Sequence, residues 1–156
     1  MGCEIERKFL VTGSEYKKCI KPVFCRQGYL TADVERTVRI RIEDDKAYIT
    51  IKGKNINLTR LEYQYEIPLM DGQEMLNKLC KNVLVEKYRY NINYEGNLWE
   101  VDEFIGENQG LIIAEIELEF EDEKFEKPTW VGEEVSFDKK YSNSNLYSIP
   151  YKKWRK

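Results

Sequence analysis

Glutamates alternate with other residues at two places in this chain, at Glu4 and Glu6 in "EIERKFL" and at Glu115, Glu117 and Glu119 in "IAEIELEF". Basic residues recur at the same spacing: Lys8 follows Glu6, Arg39 and Arg41 stand in "VRIRI", and Lys87 and Arg89 in "EKYRY". Carboxylate oxygens are hard ligands suited to Mg²⁺ or Mn²⁺, while Lys and Arg hold phosphate oxygens, Arg often bidentately. A polyphosphate carrying a divalent metal meets both requirements. The chain has no histidine, so Ser-His-Asp and Cys-His nucleophile systems are absent and catalysis falls to carboxylates, lysines, tyrosines or a metal. No G-x-x-x-x-G-K-[ST] occurs, which excludes triphosphate binding by a P-loop.

A spacing of two places these side chains on one face of a strand, because successive residues of a strand point to opposite sides. The same sorting applies along the chain. Lys52 shares a face with Thr50; Arg60, Glu62, Gln64 and Glu66 oppose Leu61, Tyr63, Tyr65 and Ile67; Glu100 and Asp102 oppose Trp99 and Val101. Two arrangements satisfy this pattern. In a sandwich or open antiparallel sheet, the apolar faces pack inward and the charges meet water. In a closed barrel, the charged faces line a lumen and closure removes the exposed edges. Runs of one sign, such as the three glutamates at 115–119, repel one another unless positive groups sit among them.

The elements that must position these residues are mainly strands, expected near 3–11, 26–31, 35–43, 46–53, 59–69, 84–94, 97–105 and 111–121. The clearest helix signal is "DGQEMLNKLC", with Asp71 as cap, Glu74 three residues on, and Met75, Leu76 and Leu79 as the apolar stripe. Shorter helices are expected at 14–20 and around 122–127. A length of 156 residues without an obvious linker fits one domain, 1–156. A net charge of −3 gives no general attraction to nucleic acid. The four cysteines form no CxxC pair, which argues against zinc. With no apolar leader and no run long enough to span a bilayer, the expectation is a cytoplasmic protein with reduced thiols and no membrane partner.

"EIERKFL" resembles the N-terminal Glu-x-Glu-x-Lys signature of the CYTH superfamily, the triphosphate tunnel metalloenzymes. "RQGYL", "VRIRI", "ITIKG", "TRLEYQYEIP", "EKYRY", "WEVDEF", "AEIELE" and "EVSFDKKYSNSNL" follow in the order of that family's strands and C-terminal segment. The resemblance implies an eight-stranded antiparallel barrel with a few peripheral helices, binding a triphosphate with Mg²⁺ or Mn²⁺ and hydrolysing it. It assigns Glu4, Glu6, Glu115 and Glu117, with Asp102 and Glu62, as metal ligands. It assigns Lys8, Arg39, Arg41, Lys52, Lys87 and Arg89 to the phosphates, along with Arg60 and one of Lys139 or Lys140. Glu117, Glu115 and Lys87 would act in catalysis. Gln64 departs from the family's third alternating acid, which is expected to alter metal number or preference.

The activity expected first is metal-dependent hydrolysis of inorganic triphosphate, with nucleoside triphosphates as slower substrates. Class IV adenylate cyclase and thiamine triphosphatase activities share the same metal and phosphate residues, and a non-catalytic polyphosphate binder is the alternative of another class. Arg7, on the outward face, reads as a surface ion pair. Tyr63, Tyr65, Tyr88 and Tyr90 read as packing under helices or as a contact between two copies in a homodimer rather than as a nucleic-acid surface. Tyr29 is placed within reach of the tunnel mouth, and the "KKWRK" tail is a short basic cluster near an entrance or simply solvated.

Overall fold

A computed structural model describes residues 2–33, 35–80 and 84–154; Arg155 and Lys156 of the basic tail lie outside the described residues. Eight antiparallel strands follow in sequence: β1 (Cys3–Val11), β2 (Val23–Ala32), β3 (Arg36–Glu43), β4 (Lys46–Gly53), β5 (Thr59–Ile67), β6 (Val85–Tyr94), β7 (Asn97–Phe104) and β8 (Ile112–Glu117). A ninth, β9 (Val131–Glu134), lies outside the ring. The order β5-β4-β3-β2-β6-β7-β8-β1-β9 closes through a β5–β1 pairing. The barrel reading therefore holds over the open sheet.

Closure is short. Cys3, Glu4 and Ile5 of β1 pair with Leu61, Arg60 and Thr59 of β5, and further along, the β1 edge is taken by β9 through Phe9↔Glu134 and Val11↔Val131. The hairpin between β6 and β7 turns through Glu95 and Gly96, both at positive φ (48° and 82°), the conformation a two-residue type I′ turn requires.

The apolar core lies outside the barrel rather than within it. Phe9, Trp99, Val101, Ile116 and Tyr90 point outward and are buried beneath Tyr16, Phe125 and Trp130. Their rings meet mostly edge to face, with Trp99–Trp130 at 5.9 Å and Tyr16–Tyr90 at 5.1 Å, a favoured aromatic geometry. A second cluster, with Phe104, Leu111, Ile113, Leu146 and Tyr147, seats helix α2 (Asn143–Ser148) against one end of the barrel.

Helix α1 (Leu69–Lys78) begins two residues before the expected Asp71 cap. Pro68, in an extended conformation, ends β5 and precedes the first helical turn, leaving Asp71 within that turn, where its charge suits the helix dipole. Packing also differs from the expected stripe. Gly72 and Leu76 face the barrel, Met75 is half-buried and Leu79 is 56 % exposed. Gly72 is needed there because a Cβ would lie 2.6 Å from that of Ala47. The 14–20 segment forms one 3₁₀ turn, Glu15–Lys18, that buries Tyr16. No helix forms at 122–127; that stretch is irregular and lays Phe125 against Phe9 and Trp99 at 6.1 and 5.8 Å. Tyr90 is buried, whereas Tyr63, Tyr65 and Tyr88 stay exposed on the outer face. Arg7 pairs with Glu134 at 3.3 Å, as its position suggested.

Candidate active site

Because the apolar residues of each strand face outward, the charged rows converge on a cavity of about 190 Å³ along the barrel axis. From β1 come Glu4, Glu6 and Lys8; from β3, Thr37, Arg39 and Arg41; from β4 and β5, Lys52, Arg60, Glu62 and Gln64; from β6, β7 and β8, Arg89, Glu100, Glu115 and Glu117. Six acids thus face six bases among the described residues lining it. A bare polyanion would unbalance this set, and a polyanion carrying a divalent cation restores it.

The charges are sorted. On the β1–β5 side, the Lys52 ammonium lies 3.1 Å from Glu4 and 3.4 Å from Glu62. Burial pushes the Glu62 carboxyl up, helped by its hydrogen bond with Glu4. Glu4 stays below its ordinary value because Lys52 and that hydrogen bond outweigh its burial. On the β1–β8 side, Lys8 lies 3.9 Å from both Glu6 and Glu115. Glu6 is raised well above the carboxylate range by burial and by the neighbouring charges of Glu115 and Glu4. Against its own burial, Glu115 is held well below that range by Lys8, a hydrogen bond from Glu6, and Arg89. Glu117 is raised by burial and by Glu4 and Glu100.

Glu62 and Glu6 are thus held toward the neutral form, and Glu4 and Glu115 toward the charged form. Among the described residues, no three acidic or cysteine side chains already converge as an ion site. The donor set nonetheless fits a hard divalent cation, whose charge offsets the burial and mutual repulsion that raise Glu6 and Glu117.

At the other side of the cavity, Arg39 and Arg41 are buried. The Nε of Arg39 is enclosed without an acceptor. Arg41 Nε lies 2.8 Å from Glu43, a close ion pair without hydrogen-bond alignment. Burial and the neighbouring Arg39 and Arg89 bring the Arg41 guanidinium down to about 10. Buried donors short of acceptors are the complement an anion supplies.

Two assigned residues lie beneath the cavity rather than on its wall. Lys87, 0 % exposed, forms an ion pair with Asp102 at 2.8 Å, donates to Asn143 at 3.1 Å and lies over the Phe104 ring. Asp102, 1 % exposed, also accepts two bonds from Arg89, at 2.8 and 2.9 Å. Arg89 reaches from this pair to Glu100 (3.1 Å) and Glu115 (3.7 Å). Lys139 and Lys140 are exposed on a 3₁₀ turn, and Lys140 lies over Tyr141 and Trp154 at 5.3 and 5.1 Å.

The cavity also takes residues that the sequence did not single out as ligands. Glu100 and Thr37 share faces with assigned residues, so alternation carried the signal. Ser142, Asn143 and Ser144, at the start of α2, close one end; nothing in the spacing of a short polar helix marks it as a wall. Tyr29 is the one aromatic side chain lining the cavity among the described residues.

Residues 2–148 match the CYTH domain family. An inorganic triphosphatase of Acetivibrio thermocellus is 51 % identical over 155 residues, covering 99 % of both chains. One of Nitrosomonas europaea is 38 % identical over 152 residues, covering 94 % of this chain and 99 % of its own. The crystal structure of an inorganic triphosphatase, 34 % identical, superposes with a TM-score of 0.65 over 92 % of this chain and 93 % of its own. With the barrel, the alternating signature strands and these matches in agreement, the chain belongs to the CYTH domain family.

Proposed function

We propose that this protein hydrolyses inorganic triphosphate inside the barrel with the aid of Mg²⁺ or Mn²⁺. The observation that carries the reading is the cavity itself, small, charge-balanced and divided into a carboxylate side and an arginine side. Ligand pockets for drug-sized molecules begin at about 300 Å³ and are mostly apolar. Here the volume is about 190 Å³ and Tyr29 is the single aromatic among the described lining residues, which suits a phosphate chain without an organic half. The relatives named inorganic triphosphatase support the same substrate.

Glu4, Glu6, Glu115 and Glu117, with Glu62 at their edge, would hold the metal. Once bound, it would neutralise phosphate charge and orient oxygens for in-line attack. Lys8, Lys52, Arg39, Arg41 and Arg89 hold the phosphates, with Arg60 at the seam beside Glu4. A water attacks the terminal phosphorus, forming the new P–O bond as the bridging P–O bond breaks. The diphosphate leaves with the electron pair, against the arginines that stabilise its charge. Glu117, a carboxylate on the cavity wall, takes the proton of the attacking water in this reading. Lys87 and Asp102 contribute from beneath, fixing Arg89 and Asn143.

The test is phosphate and pyrophosphate release from inorganic triphosphate and from ATP, with Mg²⁺, Mn²⁺ or chelator, alongside Glu117→Gln. Metal-dependent release from triphosphate well above that from ATP, lost in the variant, is expected. Pyrophosphate and cyclic AMP from ATP would instead give a cyclase, and binding without turnover a binding module. We further propose a cytoplasmic setting, where Cys3 and Cys19 remain exposed thiols. A homodimer through the outer face of β4 and β5 is part of the same proposal, because Ile51, Leu61, Tyr63 and Tyr65 are exposed there side by side. Light scattering giving a monomer at micromolar concentration would remove it.

A further inference from the structure

Gln64 is the uncharged member of the inward row Arg60, Glu62, Gln64 on β5, and it sits where the carboxylate side of the cavity meets the arginine side. Its Oε1 lies 3.2 Å from Arg41 Nη2 and 2.9 Å from Thr50 Oγ1. A guanidinium only donates, so the amide atom facing it is the oxygen. Both lone pairs of that oxygen are then used, one by Arg41 and one by the Thr50 hydroxyl. Thr50, fully buried and paired with Gln64 in the β4–β5 register, in turn accepts from Arg39 Nη2 at 3.2 Å. The direction of every bond is fixed: Arg39 to Thr50, Thr50 to Gln64, and Arg41 to Gln64. A metal ion has no lone pair left at this amide oxygen unless it displaces Arg41 or the Thr50 hydroxyl.

Resting on the triphosphate reading above, we propose that Gln64 is a positioning residue that holds Arg39 and Arg41 toward the phosphates through a neutral acceptor. The distinction between amide and carboxylate decides its effect. Arg41 already has Glu43 at 2.8 Å on its Nε side. A second carboxylate at position 64 would form a charge-assisted pair with it, roughly twice as strong as the neutral bond. That pair would compete with phosphate for the same guanidinium. The amide keeps the arginine in place and leaves its charge for the ligand. Gln64 thereby serves the anion side of the cavity, and the departure from an alternating acid row sets phosphate affinity rather than metal number.

The probe is inorganic triphosphate titrated calorimetrically in the presence of chelator, where no turnover interferes. Gln64→Glu is expected to weaken this metal-free binding by about tenfold, as for a like charge placed against an anion. In turnover assays the same variant raises KM while kcat and the half-saturating Mg²⁺ concentration stay within about twofold, a split that a merely structural residue would not produce. Gln64→Met, which deletes the acceptor without adding charge, weakens binding by about threefold and keeps the test open if the glutamate variant does not fold. Unchanged affinity in either folded variant overturns the proposal, as does a lowered Mg²⁺ requirement in Gln64→Glu, which would make position 64 a metal ligand. Absence of metal-free binding in the unaltered protein also overturns it, whereas the proposed hydrolysis is judged separately by turnover with metal.

Discussion

Replacing Asp102 with Asn tests whether this carboxylate binds metal or holds the cavity floor together. Its two oxygens accept from Arg89 at 2.8 and 2.9 Å, and Lys87 Nζ lies 2.8 Å away, all essentially out of contact with solvent. The substitution preserves shape and removes the one anion between two buried cations. Breaking a buried pair by removing one partner costs about 3–5 kcal/mol, because the partner's charge stays buried. Arg89 retains Glu100 and Glu115, so Lys87 bears most of the loss and the lower end, about 3 kcal/mol, applies. In a domain of this size each kcal/mol lowers Tm by about 2–4 °C, giving a fall of about 6–12 °C. The pH dependence has a fixed sign. Burial raises the Asp102 carboxyl, but Arg89 and Lys87 bring it below its ordinary value, so its contribution is present above about pH 4 and is lost as pH falls through the folded value. The gap in Tm between the two proteins should be full at pH 7 and narrow at pH 3. Calorimetry at the two pH values reads this, with Mg²⁺ titration of turnover beside it. An unchanged Tm with a raised half-saturating Mg²⁺ concentration would return Asp102 to the metal ligands.

Three carboxyls raised in the metal-free cavity, Glu6, Glu62 and Glu117, contribute with the opposite sign: their stabilisation holds at low pH and is lost as pH rises through the raised values. The Tm gain on adding saturating Mg²⁺ is therefore expected to be larger at pH 8.5 than at pH 5.5, and a gain that is flat or reversed in scanning calorimetry contradicts a metal site built on these carboxyls. Gly72→Ala places a methyl 2.6 Å from the Ala47 Cβ; overpacking costs about 1–3 kcal/mol and outweighs a helix-propensity gain of about 1 kcal/mol at most. A Tm lowered by a few degrees and restored by adding Ala47→Gly is expected, and no loss in Gly72→Ala would show that α1 moves aside.

Strand faces were legible because alternation is a local property: it sorted Glu4, Glu6, Arg39, Arg41, Glu115 and Glu117 onto the charged faces without reference to distant contacts, while the choice of a closed lumen over an open sheet came with the resemblance of the signature strands. Depth along that lumen was not legible. Lys87 and Asp102 share faces with Arg89 and Glu100, yet the pairing of Asp102 with Arg89 across β6 and β7, and Asn143 arriving from α2, place them under the floor. Alternation cannot report which rung of the barrel a residue occupies, since that follows from register and tilt. β9 and α2, of four and six residues, are too short to show a period. At α1 a local signal misled: Asp71 and Glu74 have capping-box spacing, but Pro68 halts the strand and starts the helix earlier.

The most direct test of the metal and phosphate placement is a crystal structure with Mn²⁺ and a non-hydrolysable triphosphate analogue, with the metal located by anomalous scattering. Mn²⁺ is expected among Glu4, Glu6, Glu115 and Glu117, with the phosphate chain reaching Arg39 and Arg41 and Gln64 still bonded to Arg41. Metal at Asp102, or the anion bound outside the barrel, would contradict this placement.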